Sequence, residues 1–220
     1  MRACEALGIR PGITSVIGGG GKSTLLEVLA AELAPATVIL CTTTHMFPPK
    51  SVRTLSGEDE AELAEAVKRE RAVCVGWLAG DERLHPPRLS MAGLKALAES
   101  VIVEADGSRQ LPLKAHAPYE PVVPPESGRT VWVIGLSGLG RPIREAAHRP
   151  ERYAALAGVT VDDLVTPEIA ARVVNAEGLC DVALLNQADD ETWADAARAM
   201  SRYLNCPSVW GSLQRGIFRC

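Results

Sequence analysis

Short, nearly continuous apolar runs recur along the chain, separated by stretches with helical spacing or by turn residues. The first run, 13–17 (Ile-Thr-Ser-Val-Ile), stops at Gly18, Gly19, Gly20 and Gly21, and 22–33 then takes up a helical pattern. A second run at 38–41 ends in Thr42, Thr43 and Thr44. Strand, glycine turn, helix and strand in that order predict a βαβ unit, whose crossover favours parallel pairing. Runs at Ala72–Val75, 101–103, 131–134 and 182–185 are apolar on both alternations, as expected of parallel strands covered on both faces, and 209–210 follows as a further strand. Helices are expected over 57–70, 90–99, 167–175 and 191–204. Thr166 is placed to cap the third, with Pro167 in its first turn and Glu168 at its positive end.

The pattern predicts an α/β protein: a doubly wound, mostly parallel sheet with helices on both faces. Stretches 44–56, 79–89 and 107–128 are rich in Pro, Gly and charge. They are expected as excursions from a single domain spanning 1–220, because the strands on either side need one another to complete the sheet.

Composition narrows the classes. Hydrophobic residues make up 47% of the 220 and charged residues 23%, the balance of an ordinary globular chain. A formal charge of -4 argues against a broad nucleic-acid surface while leaving room for a small basic pocket. Cys4, Cys41, Cys74, Cys180, Cys206 and Cys220 show no CxxC spacing, so reduced thiols of a cytoplasmic protein are expected, with no disulfide framework or zinc knuckle. No leader-like start and no apolar run of spanning length is present in the sequence, so no membrane segment is expected.

The chemistry concentrates at strand ends. Gly18-Gly19-Gly20-Gly21-Lys22-Ser23-Thr24 supplies what a triphosphate requires: backbone N–H groups that can wrap anionic oxygens, an ammonium, and a hydroxyl for Mg²⁺. The motif predicts a phosphate-binding loop and hence a P-loop NTPase-like fold, although Val16 stands where the strict pattern has glycine and Ile17 where a variant branch has an extra lysine. The run 101–103 ends in Glu104 and Asp106, carboxylates at the edge where open α/β sheets bind ligands. We expect Glu104 to hold Mg²⁺ and Asp106 to orient water or make a switch contact; an acidic cap on a strand end is the alternative. Thr42, Thr43 and Thr44, with His45 beside them, are switch or γ-phosphate candidates. Arg109 and Lys114 follow the acidic strand end and can reach a phosphate or an anionic substrate, unless the segment is a solvated hairpin. Asn186 and Asp189 follow the run 182–185 and suit a purine, Asp189 pairing with guanine N1–H and its amine; a plain turn capping 191–204 is the alternative. His85, His116 and His148 show no metal-ligand spacing, and Cys41 fits a buried structural thiol.

Taken together, Gly-Gly-Gly-Gly-Lys-Ser-Thr at 18–24, Cys-Thr-Thr-Thr-His at 41–45, Val-Glu-Ala-Asp-Gly-Ser-Arg at 103–109 and Tyr-Glu-Pro-Val-Val-Pro at 119–124 resemble the YqeC family, known as selenium-dependent hydroxylase accessory proteins. Val-Thr-Pro-Glu at 165–168 and Leu-Asn-Gln-Ala-Asp at 185–189 continue the similarity. The resemblance implies a P-loop protein serving the maturation of selenium-dependent molybdenum hydroxylases, with the molybdenum cofactor or a hydroxylase client as partner. It also implies that Lys22, Ser23, Glu104 and Asp106 form the nucleotide and metal site, and it favours Arg109 and Lys114 as further members. Gln187 departs from the guanine-binding pattern, which has lysine there, so GTP and ATP both stay open. Mg²⁺-dependent NTP hydrolysis is the expected activity. An NTP-dependent kinase or ligase acting on a small cofactor precursor and a nucleotide-switched maturation chaperone are the alternatives.

Overall fold

The computed structural model describes residues 1–78, 80 and 82–219. Positions 79 and 81 of the expected excursion 79–89 lie outside the described residues, as does Cys220. Nine strands form one sheet: β1 Gly12–Gly18, β2 Val38–Thr42, β3 Arg53–Leu55, β4 Ala72–Val75, β5 Ser100–Glu104, β6 Ser127–Gly135, β7 Val182–Asn186, β8 Ser208–Ser212 and β9 Ile217–Arg219. Their order is β9-β8-β7-β6-β1-β5-β2-β4-β3, and every neighbouring pair is parallel except β8 with β9. The fold is thus α/β with a large, mostly parallel sheet flanked by helices.

The side-chain period of two divides each strand between the faces. Val16, Leu40, Val131 and Val133 pack with α1 (Ala3–Ala6) and α2 (Lys22–Glu32) in one apolar cluster. The alternate residues Ile39, Cys41, Val101 and Val103 pack with α3 (Glu60–Glu70) and α4 (Met91–Leu97). Trp132, Ile134 and Leu185 meet α6 (Pro150–Ala157), α7 (Pro167–Glu177) and α8 (Glu191–Ser201) in a third cluster. Leu25 and Leu29 of α2 are fully buried, each worth about 1.5–3 kcal/mol relative to exposure.

Element ends follow local chemistry. The Thr166 hydroxyl accepts from the Ile169 N–H at 3.2 Å, with Pro167 in the first turn, and Gly178 in the left-handed region closes α7. Two features exceed the pattern-based expectation. The stretch 44–56 contributes the edge strand β3, and α5 (Ile143–Ala146) and α6 flank the basic residues His148 and Arg149.

The chain lays β1, moves to one side for β2, β3 and β4, returns with β5 beside β1, and then crosses to the other side for β6, β7 and β8. The direction of winding therefore reverses about β1, the place where open α/β sheets form a crevice at their strand carboxyl ends. Register brings those ends together: Val16 is level with Glu104, Gly18 with Val133, and Gly135 with Asn186.

Candidate functional site

The glycine turn leaves β1 in a shape that side chains resist. Gly18, Gly20 and Gly21 have φ of +95°, +76° and +133°. A Cβ on Gly19 would stand 2.5 Å from the Leu111 carbonyl oxygen, and one on Gly20 2.4 Å from the Gly135 Cα. The turn is wedged between the segment 111–112 and the end of β6, and α2 begins immediately after it with no side chain capping its first N–H groups.

Lys22, 5% exposed, bends back over the turn. Its ammonium donates to the Gly18 carbonyl at 2.8 Å and the Ser108 hydroxyl at 3.3 Å, and lies 3.2 Å from Asp106 Oδ1 and 3.9 Å from Glu104 Oε1. The Ser23 hydroxyl donates to Glu104 Oε2 at 3.1 Å. Burial raises the Glu104 pKa; Lys22 pulls it back and neighbouring Asp106 adds to the rise. For Asp106, burial is again the largest influence and opposes ionisation, yet Lys22, His116 and Lys114 together hold the carboxyl well below the usual range. Its Oδ2 accepts from the Gly18 N–H at 2.9 Å, while the buried Oδ1 accepts no hydrogen bond despite the nearby ammonium.

Behind Asp106 lies a second, sealed set of charges. Lys114, 1% exposed, donates to the Gly107 carbonyl at 2.5 Å and stands 3.3 Å from Asp106 Oδ2 and 3.1 Å from Glu120 Oε2. Arg149 reaches Glu120 at 2.9 Å from the other side. His116 bridges Asp106 Oδ2, 2.7 Å from Nε2, and Glu177 Oε2, 2.6 Å from Nδ1, with its ring edge-on to Trp132. Burial works against the charged imidazole, but the hydrogen bonds to both carboxylates raise its pKa above the ordinary value. Sequence reasoning set His116 aside for want of metal-ligand spacing. The usable signal was its position two residues after Lys114 in the polar segment that follows Asp106, whereas its partner Glu177 ends α7, 61 residues away.

A cavity of about 1080 Å³ opens over the turn. Gly20, Gly21, Lys22, Ser23, Thr24, Glu104 and Arg109 line its floor. Asn186, Asp189 and Trp193, from β7 and the segment after it, and His45 and Phe47, after β2 on the other side of β1, also line it, as does Arg83. Gly18 and Gly19 are buried beneath the floor. Thr42 donates to the Glu104 carbonyl at 2.8 Å, Thr43 to the Val122 carbonyl at 2.7 Å, and Thr44 lies beside Thr42, so the threonines brace the strand end instead of lining the cavity. Lys114 likewise does not line it. The Asn186 amide donates to the Gly20 carbonyl at 2.8 Å and its oxygen accepts from the Leu213 N–H at 3.0 Å, which makes it a brace between turn and β8. Capping of α8 falls to Asp190, whose carboxylate accepts from the Trp193 N–H, while Asp189 faces the cavity. The thiols of Cys180 and Cys206, scattered in sequence, approach to 3.8 Å at the opposite edge of the sheet. Among the described residues no group of three or more His, Cys, Asp or Glu side chains is arranged to hold a metal, and no helix is long and apolar enough to cross a membrane.

Sheet, switch point and glycine turn define an α/β protein with a polar crevice at its strand carboxyl ends. The family model described as "YqeC protein" matches residues 14–151, which contain the glycine turn, both carboxylates, and Lys114, His116, Glu120 and Arg149 of the sealed charges but not Glu177. The chain is 34% identical over 180 residues to the Escherichia coli (strain K12) protein named "Uncharacterized protein YqeC", an alignment covering 77% of this chain and 70% of that one. The chain belongs to the YqeC family.

Proposed function

We propose that this chain binds a nucleoside triphosphate with Mg²⁺ in the crevice and hydrolyses it in the service of selenium-dependent molybdenum hydroxylase maturation. The observation that carries the reading is the glycine turn itself: a turn packed too closely against Trp132, Leu111, Gly135 and Asn186 for any Cβ, leading straight into Lys22 and Ser23 beside Glu104 and Asp106. The residues present fit both ligands. Backbone N–H groups of an uncapped helix start suit phosphate oxygens, and Ser23 and Glu104, both lining the cavity, offer oxygens to a hard cation. Ser23 and Glu104 would hold Mg²⁺, the rest of its oxygen ligands coming from phosphate and water. When bound, the ion supplies charge neutralisation at the phosphates.

In this reading the chain's own groups divide the work. Lys22 and the turn N–H groups stabilise charge on the transferring phosphoryl group, and Asp106 orients the attacking water. Arg109, on the cavity floor, supplies a second cation, and Asp189 pairs with a guanine edge, giving a modest preference for GTP over ATP. Lys114 acts from behind by holding Asp106 ionised. The link to molybdenum hydroxylases or their cofactor rests on the resemblance of the motifs, and cytoplasmic residence accords with it.

The test is a nucleotide titration and hydrolysis assay with Mg²⁺ on the purified protein and on Lys22→Ala and Ser23→Ala. Loss of hydrolysis in Lys22→Ala, and weaker hydrolysis that needs more Mg²⁺ in Ser23→Ala, are expected. Wild-type hydrolysis in Lys22→Ala would overturn the reading. Molybdenum incorporation into a selenium-dependent hydroxylase, compared in cells with and without the chain, tests the maturation role.

A further inference from the structure

Away from the crevice, where the parallel strands begin, two cysteines meet. Cys180 stands two residues before β7 and Cys206 two residues before β8, and their sulfurs approach to 3.8 Å although 26 positions separate them. Cys4, Cys41 and Cys74 are buried, whereas Cys180 and Cys206 are half-buried, packed on the third apolar cluster with part of their surface open to solvent.

The chain fixes both positions. β7 and β8 are parallel neighbours, Ala183 level with Ser208, and the Ala183 N–H donates to the Pro207 carbonyl at 2.9 Å. Asp181 is tied to β6 twice: its N–H donates to the Thr130 carbonyl at 3.0 Å, and its carboxylate accepts from the Thr130 N–H at 2.7 Å. On the approach to β8, the Asn175 amide of α7 donates to the Tyr203 carbonyl at 2.7 Å, and its oxygen accepts from the Asn205 N–H at 2.8 Å. The sulfurs therefore meet because the residues beside them are anchored. Neighbouring strands lie about 4.8 Å apart, inside the roughly 4.4–6.8 Å between Cα atoms that a disulfide spans. Side-chain rotation then has to close the gap from 3.8 Å to a bond of about 2.05 Å. Hydrogen bonding from the Cys180 thiol lowers the Cys206 pKa below the ordinary thiol value against burial, and the same bond, with burial, raises that of Cys180. An attacking thiolate thus stands beside a resolving thiol.

We propose that Cys180 and Cys206 are a reversible dithiol–disulfide pair, oxidised by low-molecular-weight disulfides, that staples the start of β7 to the start of β8. In the first exchange the Cys206 thiolate attacks one sulfur of the small disulfide, forming a mixed disulfide and expelling one small thiolate. The Cys180 sulfur, losing its proton, then attacks Cys206 Sγ; the Cys180–Cys206 bond forms and the second small thiolate leaves. Two cysteine thiols lose two electrons, the small disulfide gains them, and the protons given up by the cysteines end on the two small thiols. The bond closes a segment containing β7, α8 and the cavity-lining residues Asn186, Asp189 and Trp193, while lying at the strand ends away from them. Its consequence is a firmer crossover, since a cross-link restricts the unfolded chain more than the folded one. None of this depends on what the crevice binds.

The test treats the purified, fully reduced chain with 2-hydroxyethyl disulfide at neutral pH. We expect an intact mass lower by two hydrogens, a linked Cys180–Cys206 peptide after digestion, and a thermal midpoint raised by roughly 5–15 °C, all reversed by dithiothreitol. Cys180→Ser and Cys206→Ser should each keep a mixed disulfide on the remaining cysteine, with no linked peptide and no such rise. Near-ultraviolet circular dichroism identifies a variant that has lost its fold. Thiols left unreacted in the folded parent chain, mixed disulfides persisting on both residues, a link that forms only in urea, or a linked chain whose midpoint does not rise would overturn the proposal.

Discussion

Two lysines meet the Asp106 carboxylate from opposite sides, and their surroundings differ. Lys22 follows a glycine turn, lines the cavity, and shares its charge among Gly18, Ser108, Asp106 and Glu104. Lys114 follows a two-residue strand, lies behind the cavity wall, and is closed in by Gly107, Glu120 and Asp106. Beyond the shared Asp106, Lys22 has Glu104, whose pKa burial raises. Lys114 has Glu120 instead, a carboxyl that, against burial, Lys114 and Arg149 hold below the ordinary range. One lysine is therefore built to work and the other to stay.

The largest expected effect tests the second half of that contrast. Lys114→Ala leaves two ionised carboxylates short of a buried partner and should cost about 3–5 kcal/mol in urea unfolding. A loss no greater than that of Lys22→Ala would erase the distinction between them. Lys22→Ala, by contrast, should lower NTP hydrolysis about 10²–10³-fold, roughly 2.7–4 kcal/mol of transition-state stabilisation, with the smaller change in unfolding free energy.

At the base end, Asp189→Asn should cut the preference for GTP over ATP by about 1–3 kcal/mol in competition calorimetry, leaving ATP affinity less disturbed. The smallest effect concerns His116, whose folded pKa is raised by Asp106 and Glu177 against the pull of burial. Its contribution to stability is fully present below the ordinary imidazole value of about 6.5 and is lost as pH rises through the higher folded value. Urea midpoints should therefore decline from neutral into mildly alkaline pH, by at most about 1.4 kcal/mol per pH unit for one proton, and flatten over that range in His116→Gln. An unchanged slope in His116→Gln would show that the imidazole is not the group responsible.

How much of this was legible from sequence depended on distance along the chain. The parallel strands stood out because burial on both faces makes them continuously apolar, and the glycine turn and strand-end acids are local motifs. The edge strand β3 (Arg-Thr-Leu) is three residues long with a single apolar one, so no apolar run marks it. Helix α6 buries only Tyr153, Ala154 and Ala157, too little bulk to register as a periodic stripe. In the site, Lys22, Ser23, Glu104 and Arg109 line one cavity and Asp106 lies buried against Lys22, while Thr42, Thr43 and Asn186 bond to backbone. The pairing of His116 with Glu177 could not be read, because a contact between a loop and the end of a remote helix leaves no spacing signature.

Asn186 joins the Gly20 carbonyl, 166 residues earlier, to the Leu213 N–H, 27 residues later. During synthesis the glycine turn leaves the ribosome long before the residues that fasten it, and the fastening waits for β7 and β8 to dock beside β6. A polypeptide cut short before Leu213 would carry every residue of the glycine motif and both strand-end acids, yet would lack the clasp that fixes the turn against the sheet. Such a truncated product should be inert toward ligand, so competence for binding waits on the docking of the segment that carries Leu213.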